Sequence, residues 1–156
     1  MKVFISHKKE DSSQALLLKY AFEENGVEAY LDLLDSSVIG DGKTLTEHIR
    51  KQLNSCTDII VLITDATKYS WWVPFEIGMS AQIDMPTASF LKDDVALPSY
   101  LSYWPRLRSI SDVERYVSIR KRIASQFRAL YHGFELHNRR KEEVNLFYET
   151  LKKELR

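Results

Sequence analysis

The strongest chemical signal in this chain lies in nine consecutive residues, Ser70-Trp71-Trp72-Val73-Pro74-Phe75-Glu76-Ile77-Gly78. Pro74 suits a first helical turn, where its missing N–H costs least. Glu76 then falls near a helix N-terminus, where the helix dipole favours an ionised carboxylate. Trp72 precedes Glu76 by four residues and shares its helix face. An aromatic plane beside a carboxylate suits a flat cationic heterocycle carried on a sugar. The plain alternative puts the tryptophans in the core and leaves Glu76 a solvated helix residue.

Other constellations carry less. Ser37-Val38-Ile39-Gly40-Asp41-Gly42-Lys43-Thr44 ends in Gly-Lys-Thr and resembles a phosphate-binding P-loop, but Ser37 stands where that motif needs its first glycine. The loop also follows the second strand, and too little chain remains to complete an NTPase. Ser6-His7 closes the first apolar run. Adjacent residues cannot face each other as nucleophile and base, so a hydrolase triad is not indicated and ligand binding suits them better. The four histidines lack metal-ligand spacing, so no metal site is expected. The basic runs Arg120-Lys121-Arg122 and Arg139-Arg140-Lys141 have acidic neighbours and read as solvated helix faces.

The elements that must position these groups alternate along the chain. Residues 2–6, 27–31, 58–64 and 86–91 are short apolar runs with strand character, and a short fifth strand is expected near 107–110. Asp11-Ser12-Ser13 can cap a first helix whose apolar stripe is Leu16, Leu17, Tyr20 and Phe22, ending at Asn25-Gly26. Thr44-Leu45-Thr46-Glu47 reads as a capping box opening a second helix to about residue 55. A third helix covers roughly 71–83. Such alternation implies a mainly parallel sheet with helices on both faces and ligands at the carboxyl ends of the strands. The loops 6–11, 32–43, 65–72 and 92–100 are therefore the ones to search. Ser111-Asp112-Val113-Glu114 reads as another capping box. Ile119, Ile123, Phe127, Leu130 and Phe134, then Val144, Phe147, Leu151 and Leu155, mark two amphipathic helices. These are expected to pack on the domain, the alternative being a surface for self-association or a partner. The division expected is a domain over 1–115 and a helical extension over 116–156.

The bulk composition excludes several classes. The 156 residues suit one domain, and 44% hydrophobic residues argue against disorder. Lys plus Arg equals Asp plus Glu at 22 each, so nothing draws the whole chain to nucleic acid or to an anionic membrane. Cys56 is the only cysteine, which rules out an internal disulfide and a multi-cysteine zinc site. Met1–Ile5 reads as a strand rather than a signal peptide, and no apolar window reaches transmembrane length. A cytoplasmic location is the expectation.

Taken together, three segments resemble the TIR family. Lys2-Val3-Phe4-Ile5-Ser6-His7 with Asp11 looks like its first box, and Asp32, Ile39 and Gly42 look like its BB loop. Ser70-x-Trp72-x-x-x-Glu76 matches the box that carries the catalytic glutamate of TIR NADases. The resemblance covers about residues 1–110. Asp41 replaces a proline common in animal receptor BB loops, and Val73 replaces a common cysteine. The resemblance implies a flavodoxin-like α/β fold with a central, mainly parallel five-stranded sheet. It also implies cleavage of the nicotinamide–ribose bond of NAD⁺, as substrate rather than cofactor, with Glu76 catalytic. Ser6, His7, Asp35, Ser70, Trp71 and Trp72 are the substrate-binding residues it suggests. It is similar to bacterial antiphage TIR proteins, including the Thoeris type, which make ADP-ribose-derived signals sensed by an effector. Self-association through the 33–43 loop is implied as well. A non-enzymatic TIR interaction module is the alternative function.

Overall fold

A computed structural model describes residues 1–31, 41–67, 70–91, 95, 99–130 and 136–156. The apolar runs form five strands: β1 (Lys2–Ser6), β2 (Glu28–Leu31), β3 (Asp58–Ile63), β4 (Thr87–Leu91) and β5 (Arg106–Leu107). They alternate with helices α1 (Ser12–Glu24), α2 (Gly42–Asn54) and α3 (Trp72–Gln82), and are followed by α4 (Ile110–Leu130) and α5 (Leu136–Glu154). The sheet order is β2-β1-β3-β4-β5, and all four pairings are parallel.

Strand alternation sorts the core into two layers. Val3, Ile5, Ile60, Leu62, Ala88 and Phe90 face α1, α4 and α5. Phe4, Ile59, Val61, Ile63 and Leu91 face α2 and α3. β3 is buried along its whole length, as a central parallel strand must be.

The helices depart from the sequence expectation in instructive ways. α1 buries Ala15, Leu18, Ala21 and Phe22, whereas Leu16, Leu17 and Tyr20 are exposed, Leu17 by 63%. The small alanines let the helix lie close to its neighbours, and they outcompete the larger residues for the inner face. α2 begins at Gly42, capped by Asp41, whose Oδ1 accepts the Thr44 N–H at 2.8 Å. The expected Thr44 cap is thus three residues late. α4 likewise begins earlier than the expected box: Ser109 Oγ accepts the Asp112 N–H at 3.3 Å, and Asp112 Oδ2 accepts the Arg108 N–H at 2.8 Å. That early start places Ile110 in α4 and leaves β5 only two residues long. Leu130 is 75% exposed rather than part of the buried stripe. Phe134 lies outside the described residues.

At the amino ends of the strands, α4 and α5 are tied to the sheet through Asp58. Its Oδ1 accepts from Tyr116 Oη at 3.0 Å and from Arg120 Nε at 2.9 Å, and Arg120 Nη1 reaches Glu143 Oε1 at 2.6 Å. Burial beside the Asp58 carboxylate pushes the Tyr116 hydroxyl well above the ordinary phenol range. Tyr148 Oη accepts the Thr87 N–H at 2.8 Å, and burial pushes its pKa up to about 12.

Candidate active site

The strand order creates the crevice. From β1 the chain passes through α1 to β2 on one side, then through α2 to β3 on the other. The connections leaving β1 and β3 therefore diverge, and the carboxyl ends of these two neighbours form the topological switch point of the sheet. Ser6 is the last residue of β1 and lies opposite Val61 of β3. Two residues beyond Phe4, it shares that residue's face and looks toward the α2–α3 layer.

The segment after β3 brings α3 over this point. Trp71 is the residue that flanks the helix start, and just ahead of it Ser70 Oγ accepts the Val73 N–H at 3.3 Å. Pro74 occupies the first turn, where no intrahelical N–H is lost. α3 then buries Val73, Glu76, Ile77 and Ser80, a spacing that keeps one face on the sheet. Glu76 sits in that inner row. Its side chain meets the end of β1, where Ser6 Oγ donates to Glu76 Oε2 at 2.5 Å. Ser6 is fully buried and Glu76 is 5% exposed. Withdrawing a carboxylate from water is costly unless donors meet it, and the serine hydroxyl is one such donor.

A second carboxylate braces the same two loops. Asp11 was expected to cap α1, yet its side chain makes no cap bond. Its Oδ2 instead accepts from Thr64 Oγ1 at 2.7 Å and from Thr67 Oγ1 at 3.2 Å. Thr67 Oγ1 also accepts the Thr64 N–H at 3.1 Å. The segment after β1 is thereby fastened to the segment after β3, on either side of the crevice. Sequence reasoning missed Thr64 and Thr67; two hydroxyls three residues apart at a strand exit were the available signal.

Of the residues singled out from sequence, the structure brings Ser6 and Glu76 into contact. His7 is half-buried, with Nδ1 3.3 Å from the Ile5 carbonyl oxygen. The Ser70 hydroxyl accepts a helix N–H. Trp71 is 90% exposed, and Trp72, 37% exposed, packs edge-on against Phe75 with ring centroids 5.8 Å apart. The core placement of the tryptophans and the solvated placement of Glu76 are both wrong. Asp35, with most of the 33–43 loop and the first half of the P-loop-like segment, lies outside the described residues. Among the described residues, no cluster of His, Cys, Asp and Glu could hold a metal ion, and no helix is long and apolar enough to cross a membrane.

A curated relative, the probable 3′ cyclic ADP-D-ribose synthase ThsB′ of Bacillus cereus (strain MSX-D12), is 28% identical over 79 residues. That match spans 49% of this chain and 41% of ThsB′. The fold is shared with the TIR domain of the Toll-related receptor TRR-2 from Hydra magnipapillata, at a TM-score of 0.58 and 16% identity, over 79% of this chain and 95% of that one. It is also shared with a 2-deoxyribosyltransferase from Bacillus psychrosaccharolyticus, at a TM-score of 0.60 and 13% identity, over 74% of this chain and 92% of that one. The family model for the TIR domain matches residues 3–130. The chain belongs to the TIR domain family.

Proposed function

We propose that this chain breaks the bond between nicotinamide and ribose in NAD⁺, with Glu76 as the catalytic carboxylate. The observation that carries the reading is the buried Glu76 at the switch point, oriented by the Ser6 hydroxyl. The name of the ThsB′ relative supports the same chemistry.

In NAD⁺ the nicotinamide ring nitrogen is cationic. As the bond from ribose C1′ to that nitrogen breaks, its electron pair moves to the ring and nicotinamide departs neutral. No proton need be delivered to the leaving group, so a second carboxylate acting as acid is unnecessary, unlike in ordinary glycosidases. The demand falls on the ribose, where positive charge develops at C1′. A carboxylate shielded from water attracts that charge more strongly than a solvated one. Ser6 fixes its direction beforehand, so little reorganisation is needed at the moment of reaction. Trp72 and Trp71, at the start of the same helix, offer ring faces for stacking. The C1′ cation is captured by water or by a hydroxyl of the same nucleotide, which loses its proton to solvent as the new C–O bond forms, giving ADP-ribose or a cyclic form.

A cytoplasmic ADP-ribose-derived signal sensed by an effector, as in bacterial antiphage defence, is the physiological setting we propose. Self-association through the 33–43 loop belongs to this reading, and its signature is turnover that rises more steeply than protein concentration. Strict proportionality over a wide range, with a monomer throughout, would count against it. A second reading, a non-catalytic association module, draws on the exposed apolar side chains Trp72 and Phe75 of α3 and Ile83 just after it. Incubation of the purified protein with NAD⁺, with products resolved by chromatography and mass spectrometry, separates the two. Nicotinamide release supports the enzyme; its absence at every protein concentration supports the module.

A further inference from the structure

Arg120 and Lys121 of one basic run and Arg139 of the other, separated in sequence, line one cleft. A cleft of about 470 Å³ opens between α4 and α5 at the amino ends of the strands, the opposite end of the sheet from Glu76. Arg120, Lys121 and Arg128 approach it from α4, and Arg139 from α5. Gly26, Ala124 and Ser125 are small residues among them, leaving room for a ligand to come close to the backbone. Asp58 and Glu143 are the carboxylates that line it.

Both carboxylates are already engaged. Arg120 holds Asp58 at 2.9 Å and Glu143 at 2.6 Å and is largely buried with them. Lys121 donates to the Asn25 carbonyl at 2.9 Å, a neutral partner that leaves its charge unmatched and two of its three N–H bonds available. Arg128 has no hydrogen-bond or ion-pair partner among the described residues, and its flat guanidinium suits two phosphate oxygens at once. Lys121 is exposed, as expected of a solvated basic face, and borders this concave volume.

We infer that this cleft binds a small phosphate-bearing anion of the pyrophosphate class, at a site separate from Glu76. The concave form favours a compact ligand over an extended nucleic-acid backbone, and Lys121 and Arg128, neither of which meets a carboxylate among the described residues, match a doubly charged group. The proposal stands apart from NAD⁺ cleavage and survives if that reading fails.

The test uses inorganic pyrophosphate as probe, titrated into the full chain by calorimetry and by amide NMR. The proposal expects saturable binding with shifts centred on Gly26 and Ser125. Arg128→Glu, at an exposed side chain, should leave the melting temperature in place and weaken binding about tenfold or more, the scale for losing one charge-assisted contact. Glu76→Gln should leave binding unchanged. No saturation at millimolar probe, unchanged affinity in folded Arg128→Glu, or shifts confined to residues around Glu76 would each overturn it.

Discussion

Removing the Ser6 hydroxyl probes the contact on which the site depends. Ser6 is fully buried, and its Oγ donates to Glu76 Oε2 at 2.5 Å. Ser6→Ala deletes one oxygen and leaves the backbone of β1 undisturbed, but it takes a donor from a buried carboxylate. A hydrogen bond to a charged group is worth about 1.5–3 kcal/mol. For a chain of this size, that loss lowers the melting temperature by about 3–12 °C. The same change in a Glu76→Ala background should cost less than about 1 kcal/mol, because the partner is already gone. In the NAD⁺ assay, kcat should fall about tenfold with little change in KM, since the ribosyl charge that a well-aimed carboxylate stabilises exists only in the transition state. Ser6→Thr keeps a hydroxyl and should recover part of both losses. Urea or thermal unfolding of the four variants gives the coupling, and steady-state nicotinamide release gives the kinetics. Additive stability changes, with wild-type turnover in Ser6→Ala, would refute the reasoning.

Two further outcomes are expected. Trp72→Ala, at a partly exposed position, should raise KM for NAD⁺ about tenfold while costing roughly 1 kcal/mol or less in stability, read by paired kinetics and melts. Alkaline stability follows from Tyr148, whose pKa rises from about 10 to about 12 on folding because burial disfavours the phenolate. The folded state therefore holds a proton that the unfolded state releases between these values. This stabilisation is fully present below pH 10 and declines as pH climbs toward 12, by up to about 1.4 kcal/mol per pH unit for this one proton. Tyr148→Phe should lower stability at neutral pH, where the Thr87 N–H loses its acceptor, and flatten the alkaline decline in denaturant titrations.

Much of this molecule is legible in its sequence, and the failures have physical causes. The apolar runs at 2–6, 58–64 and 86–91 give their strands directly, because a central parallel strand buried on both faces has little use for polar residues. The caps were misplaced because several Ser, Thr and Asp residues lie near each helix start, and composition does not say which one meets an N–H. Asp41 and Ser109 are the ones whose side chains meet the N–H three residues on. The α1 stripe was misread because Ala15 and Ala21 give a weak hydrophobic signal, although their small size is what close packing rewards. Glu76 could be singled out from the Trp72–Glu76 spacing and the position of Pro74. Its burial and its bond to Ser6 could not, since 70 residues separate the partners and only the sheet order joins them. Alternation along β1 did hold a partial clue, for it puts Ser6 on the same face as Phe4.

The central claim is met most directly by Glu76→Gln. Glutamine keeps the size of the side chain and an oxygen that can accept from Ser6, so the melting temperature should stay close to that of the wild type. Only the charge is lost. Nicotinamide release from NAD⁺, followed by chromatography on wild type and variant at matched concentrations, should fall by about a hundredfold or more, the scale for removing one preorganised electrostatic group. NAD⁺ binding should largely survive, because the charge acts chiefly in the transition state. Wild-type release from a folded Glu76→Gln protein would contradict the account.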